Sequence, residues 1–313
     1  MSDKLCLVTG GAGFIGSHLV EALARQGRRV RVLDNFRTGL RSNLDGIRPA
    51  PEIVEADLTD GAAVARATAG VGRVFHLGAL ASVQLSVEDP SASHAVCATG
   101  TLNVLDAARR SGVRRVVYAA SSSAYGIPVG DVQTEDDPVR PLSPYAAAKL
   151  AGELYCEAFA ATYGLETVRV RFFNIFGPHQ RADSPYSGVI ALFTAALTAN
   201  RQPTVFGDGL QSRDFTYVAD AVQALVKASA APGVSGRVYN VGTGRSVTVL
   251  ELAAALNRLL GTDLPVKHSP ARAGDVRHSR ADISRARRDL GYEPAVSFED
   301  GLAQTLAWYR QLS

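Results

Sequence analysis

The stretch Leu5-Cys-Leu-Val-Thr-Gly-Gly-Ala-Gly-Phe-Ile-Gly-Ser-His-Leu-Val-Glu-Ala-Leu constrains this chain more than any other. A short apolar run leads straight into Gly11, Gly13 and Gly16 in G-x-G-x-x-G spacing, and a helical pattern follows at once. A side chain in that turn would keep the backbone away from a pyrophosphate, the third glycine lets strand and helix close on each other, and the helix start is the positive end that holds the anion. Strand, glycine turn and helix in this order predict a dinucleotide site on a doubly wound α/β sheet. Gly10, Gly13, Phe14, Ile15 and Gly16 are expected around the pyrophosphate.

The rhythm of the following residues agrees. Apolar runs at 5–9, 30–34, 53–55, 74–77, 116–119 and 168–173 alternate with longer helical patterns, which predicts a parallel sheet buried on both faces. After about residue 175, loops rich in Gly, Pro and Asp break up shorter elements, with helices expected at 189–199, 218–229 and 249–260. The expected organisation is a Rossmann domain over 1–175 and a smaller substrate-binding lobe over 176–313, with a soft boundary and the chain returning between the two. At 313 residues, 46% hydrophobic and 20% charged, the composition is that of an ordinary globular protein. A net charge of +3 is too small and dispersed for a nucleic-acid footprint, so a small-molecule partner is expected. Cys6, Cys97 and Cys156 are distant and odd in number; they fit neither a disulfide framework nor a metal site, and a reducing cytoplasm suits them. No secretory signal or membrane span is expected, since the longest apolar stretch, 189–199, falls short of the roughly 18 residues a span needs.

Asp34 ends the second strand at about 20 residues past the glycines, where a carboxylate accepts from the adenosine ribose and repels a 2′-phosphate. The expected cofactor is therefore NAD, although Arg37 could soften that preference. Asn35 follows Asp34. Asp57 and Leu58, after the third strand, are expected near the adenine, and Leu77 and Ala79, after the fourth, on the pyrophosphate side.

Tyr145 and Lys149 form a Y-x-x-x-K pair inside Ser143-Pro-Tyr-Ala-Ala-Ala-Lys, with Ser143 suited to cap a helix and Pro144 to its first turn. Four residues apart on a helix is one face. A tyrosine with an ordinary pKa of about 10 is a poor base, but a neighbouring ammonium and a nicotinamide cation both favour its phenolate. Ser121, Ser122 and Ser123 follow the fifth strand, at the sheet edge where ligands of such folds bind, and their hydroxyls can give and accept a proton. Tyr125-Gly126 fits a loop folding over the site.

Taken together, these motifs resemble the extended short-chain dehydrogenase/reductases, and within them the UDP-hexose 4-epimerase family, nearly end to end. The similarity adds Arg171-Phe-Phe-Asn-Ile-Phe-Gly-Pro, Phe206-Gly-Asp-Gly-Leu-Gln-Ser-Arg-Asp-Phe and Arg272-Ala-Gly-Asp-Val-Arg-His-Ser to the motifs above. It implies inversion at C4 of a UDP-sugar through a transient 4-keto sugar, with Tyr145 as base, one of the three serines as proton relay, and a cofactor that stays bound. It also implies substrate contacts at Ser82, Asn174, Gln180, Val189, Val205, Phe206, Arg213, Arg272, Asp275 and Ser279. Ser122-Ser123 stands where related dehydratases carry an Asp-Glu pair, and decarboxylating relatives have Glu at 123, so both branches are disfavoured. Ser279, small where glucose-restricted epimerases often have Tyr, leaves volume for an N-acetyl group; a uronate substrate stays open. Cys97 in place of the family's Asn and Gly78 in place of Ala are departures. The helices near 91–110 and 145–163 resemble a four-helix dimer interface, and a homodimer is expected. A dehydrogenase that releases NADH, or a non-catalytic NAD sensor, are the other readings.

Overall fold

The computed structural model describes residues 5–181, 188–271 and 276–311. In chain order the larger elements are β1 (Leu5–Thr9), α1 (Phe14–Arg25), β2 (Arg29–Asp34), β3 (Glu52–Glu55), α2 (Gly61–Thr68), β4 (Arg73–His76), α3 (Gly100–Arg110), β5 (Arg115–Ser121), α4 (Pro144–Tyr163) and β6 (Glu166–Phe172). Then come α5 (Val189–Thr198), α6 (Val218–Ala230), β7 (Arg237–Val241), α7 (Val249–Leu260) and α8 (Phe298–Arg310). The seven strands form one all-parallel sheet in the order β7-β6-β5-β4-β1-β2-β3.

Two-sided burial explains why these strands read as unbroken apolar runs. In β1, Cys6 and Val8 face a layer formed with Leu19, Val20 and Leu23 of α1 and Ala221 and Leu225 of α6. Leu5 and Leu7 face the opposite layer, built with Val64 of α2, Val104 and Leu105 of α3, and Cys156 and Phe159 of α4. Both faces therefore need hydrophobic side chains, as a parallel sheet under helices requires. Truncating one such residue, Leu19→Ala, is expected to cost about 3 kcal/mol.

Residues 218–241 return from the C-terminal half to this sheet, α6 as a cover and β7 as its edge strand next to β6. The rest of that half packs around its own cluster of Phe176, Phe193, Phe215, Leu252, Leu256 and Leu302. Its strands are only two or three residues long. Ser212–Arg213 pairs antiparallel with Val247–Thr248 and parallel with His278–Ser279, and Ile175–Phe176 pairs with Thr216–Tyr217. Local sequence alone cannot set such short strands; side-chain anchors do. Asp214, fully buried, accepts from Thr243 N–H (2.8 Å) and hydroxyl (2.7 Å) and from the N–H groups of Gly244 (3.0 Å) and Ala281 (3.1 Å), which pins three segments together. Among the described residues, no helix is long and apolar enough to cross a membrane.

Candidate active site

The strand order reverses between β1 and β4, and the cleft expected at that switch point opens there, with a volume of about 1170 Å³. Gly10, Gly13, Phe14, Ile15 and Gly16 form its floor at the start of α1. A Cβ on Gly16 would lie 2.1 Å from the Gly10 carbonyl oxygen, so the helix could not close on the turn with any other residue. Gly13 caps α1 without a side-chain partner, and the first turn holds no acidic residue, which leaves its positive end open to an anion.

Asp34 at the end of β2 is held by two main-chain donors, Ala12 N–H (2.9 Å) and Phe36 N–H (2.9 Å). Asn35 donates to Asp57 (2.6 Å), and Leu58 and Arg37 complete this end. A carboxylate fixed by the backbone beside a glycine cradle fits the ribose of an unphosphorylated dinucleotide, so the residues present suit NAD.

Leu77, Gly78 and Ala79 line the far side of the turn. Below them lies a buried chain of hydrogen bonds whose direction is determined. Thr101 sends its single hydroxyl proton to the Cys97 carbonyl (2.6 Å), so at its 2.9 Å contact with His76 Nε2 it accepts. Nε2 therefore carries the proton, and Nδ1 receives the Thr9 hydroxyl (2.7 Å), which itself accepts Gly78 N–H (3.2 Å). Burial, aided by the charge of Lys149, pushes the His76 pKa down to about 3 and keeps the ring neutral. Both departures from the family pattern fall beside this chain. The Cys97 thiol accepts Leu80 N–H at 3.4 Å, which braces the same loop. A Cβ at Gly78 would come within 2.7 Å of Leu58 Cδ1, so Leu58 already fills the space an alanine would take.

Tyr145 and Lys149 sit in the first turns of α4, whose cap is Ser143 Oγ accepting Ala146 N–H (3.2 Å), with Pro144 at the first helical position. Lys149 is 3% exposed, its ammonium 4.2 Å from the centre of the Tyr118 ring, and burial lowers its pKa. Tyr145 keeps part of its ring open to the cleft while its surroundings desolvate the hydroxyl. That burial raises the phenol pKa, with Cys97 acting in the same sense and a hydrogen bond with Ser121 opposing it. Ser121 Oγ also meets Ser123 Oγ at 2.8 Å and accepts Ser123 N–H at 3.2 Å, so of the three serines it stands between the tyrosine and the turn. Ser122 lines the same wall.

The other end of the cleft is assembled from distant segments. Ser82 caps a short helix by accepting Leu85 N–H (3.1 Å). Asn174, in a left-handed conformation (φ 37°), donates to the Asp214 carbonyl (3.3 Å), and Gln180 to that of Ile175 (3.3 Å). Arg213 and Ser279 are register partners on adjacent strands and both face the cleft. Val189 borders an adjoining hollow of about 490 Å³ instead. Val205 and Phe206 do not line the cleft in the described residues. Strand alternation turns Val205 into the lobe's core at 1% exposure, and Phe206, half-buried, offers its carbonyl to Gln211 (2.8 Å). Arg272 and Asp275 lie outside the described residues. Residues not expected from sequence also line the cleft, among them Asn43, Gln133 and His179; none carried a motif that would mark it.

Fold and site together define a dinucleotide-dependent enzyme of the extended short-chain dehydrogenase/reductase class. Residues 6–242 match the model of the NAD dependent epimerase/dehydratase family, and the chain belongs to that family. It is 40% identical over 315 residues to the UDP-glucose 4-epimerase of Mycolicibacterium smegmatis, covering 98% of this chain and 99% of that one. Among solved structures, the UDP-N-acetylglucosamine 4-epimerase of Methanobrevibacter ruminantium, in complex with UDP-N-acetylmuramic acid, superposes with a TM-score of 0.95 at 36% identity over 100% of both chains. The UDP-glucose 4-epimerase of Thermotoga maritima with UDP-glucose gives 0.94 at 36% identity, covering 98% of this chain and 99% of that one.

Proposed function

We propose that this protein inverts C4 of a UDP-hexose, UDP-glucose and UDP-galactose with room for their N-acetylamino counterparts. One observation supports epimerisation over the dehydration also found in the family. Among the described residues, the only carboxylates on the cleft wall are Asp34 and Asp57, both at the adenosine end. Expelling water from C5 and C6 needs an acid and a base beside the sugar, and Ser122 and Ser123 supply neither at neutral pH.

Tyr145 takes the proton of the 4-hydroxyl, and Ser121, hydrogen-bonded to it, relays that proton. NAD, which Gly10, Gly13, Gly16 and Asp34 would hold, would supply a reversible hydride acceptor beside the sugar. Burial holds the Tyr145 phenol above its ordinary pKa, so the phenolate needs a cation beside it; Lys149, four residues on along the same face of α4, and the nicotinamide ring when bound would supply that charge. Arg213 is suited to a diphosphate because its fork donates two hydrogen bonds at once. Ser279 leaves the opposite wall small. The exposed apolar residues Leu154 (58%), Tyr155 (39%) and Tyr163 (55%) on α4 support a homodimer through its outer face. Three buried cysteines, none of them in a disulfide, suit a reducing cytoplasm.

Incubation of the purified protein with UDP-glucose, UDP-N-acetylglucosamine and UDP-glucuronate in parallel, followed by NMR of the anomeric protons, tests the reading. A C4 epimer is expected from the first two without net absorbance change at 340 nm. Conversion of none of the three, or accumulation of NADH in step with product, would reject it.

A further inference from the structure

Gln133 belongs to the segment between the serine turn and α4 that carried no motif and has no part in the proton chemistry, yet it is 2% exposed and lines the cleft. Its backbone forms an isolated parallel bridge with Ala281: Gln133 N–H donates to the Arg280 carbonyl (2.8 Å), and Asp282 N–H donates back to the Gln133 carbonyl (2.8 Å). The side chain adds a third tie, Oε1 accepting Arg280 N–H at 2.9 Å. A main-chain N–H can only donate, so the orientation of the amide follows, and Nε2 turns to the Gly130 carbonyl (3.4 Å).

Arg280 directly follows Ser279, whose strand pairs with Ser212–Arg213 on its other side. The wall that faces the sugar is therefore held from one edge by Arg213 and from the other by Gln133. Gln133 is also tied to the opposite wall. The Asn240 amide donates to the Gln133 carbonyl (2.9 Å), which leaves Asn240 Oδ1 to accept the Tyr125 hydroxyl (2.6 Å). Tyr125 closes the turn that carries Ser121 and Ser123. Asn240 is fully buried and Tyr125 3% exposed, so water does not compete for these bonds.

We infer that Gln133 is a specificity-determining residue: it sets the width of the sugar pocket by fixing the Ser279 wall at a set distance from the Ser121–Tyr125 turn. The inference rests on the UDP-hexose reading of the cleft. Leucine at 133 keeps most of the volume but leaves Arg280 N–H without its side-chain acceptor, so the strand after Ser279 relaxes outward and the bulkier sugar gains.

The test is the affinity of the NAD-loaded enzyme for UDP-N-acetylglucosamine relative to UDP-glucose, measured by calorimetry for the wild type, Gln133→Leu and Gln133→Met, with melting temperatures recorded alongside. Pocket substitutions of this size alter discrimination by roughly tenfold or more when they act directly. Acting through one strand, both variants are expected to shift the ratio at least threefold toward the N-acetyl sugar. A smaller shift, a shift toward UDP-glucose, or equal loss for both sugars alongside a lowered melting temperature would overturn the inference and leave Gln133 a stabilising residue. Because binding is read rather than turnover, a protein that binds both sugars but epimerises neither would reject the epimerase reading alone.

Discussion

The two ends of the cleft are built on different scales. At the cofactor end, Asp34 meets the amide of Ala12, 22 positions away, and every wall comes from a loop that follows a strand of one continuous sheet. At the substrate end, Gln133 meets Arg280 across 147 positions, and strands of two residues are held by buried side chains such as Asp214. Regular backbone geometry positions the first end; the second depends on individual polar anchors. Damage to the first should therefore show as lost cofactor, and damage to the second as lost substrate or lost stability.

The largest effect is expected where the two ends meet. Tyr145→Phe removes the phenol but keeps the ring, and should lower kcat by about 10³-fold, the usual scale of a general base, with melting temperature and bound NAD unchanged. Steady-state kinetics alongside cofactor content check this, and near-normal kcat would reject the role of Tyr145. Asp214→Ala strands four donors in the substrate lobe and should cost about 3 kcal/mol. If the comparison holds, urea unfolding shows that loss while NAD affinity of the folded protein changes little. A matching fall in NAD affinity would mean the two ends are one cooperative unit. Gly16→Ala does the reverse. Overpacking against the Gly10 carbonyl should cost about 1–3 kcal/mol, read as NAD affinity weakened by roughly tenfold or more, with UDP affinity spared.

The smallest effect concerns the seam between the halves. His18 of α1 stacks on His179 at 4.7 Å, and Ser17 Oγ bonds His179 Nδ1 at 2.8 Å. Burial, together with His18, pushes the His179 pKa down to about 4 from its ordinary 6.5. Between those values the unfolded chain binds a proton that the folded one does not, so stability is fully present above 6.5 and falls as the pH drops toward 4. His179→Gln should flatten that slope in melting temperatures taken across the same window. An unchanged slope would assign the acid sensitivity to His18 or His76, whose pKa values are also lowered.

What could be read in advance follows the same division. The glycine turn, Asp34, the Y-x-x-x-K pair and the serines after β5 lie within or beside regular elements, and all of them line one cleft. Their spacing reflects helix and strand periods, which are properties of local sequence. Val205 adjoins the Phe206 motif that the resemblance places at the substrate, but alternation on a three-residue strand turns it into the core. A glutamine in a polar loop has no periodicity to mark it; only the bridge to Ala281 gives Gln133 a place.

By itself, then, the sequence determined a parallel sheet, a dinucleotide turn at its switch point, and a tyrosine and lysine on one helical face, because each depends on residues within a few turns of one another. The tertiary structure decided which serine meets Tyr145, how the thiol of Cys97 braces the loop at Leu80, and how far the Ser279 wall stands from the reacting centre. The last of these is set by hydrogen bonds between segments more than a hundred residues apart, which form only once both sheet faces are buried.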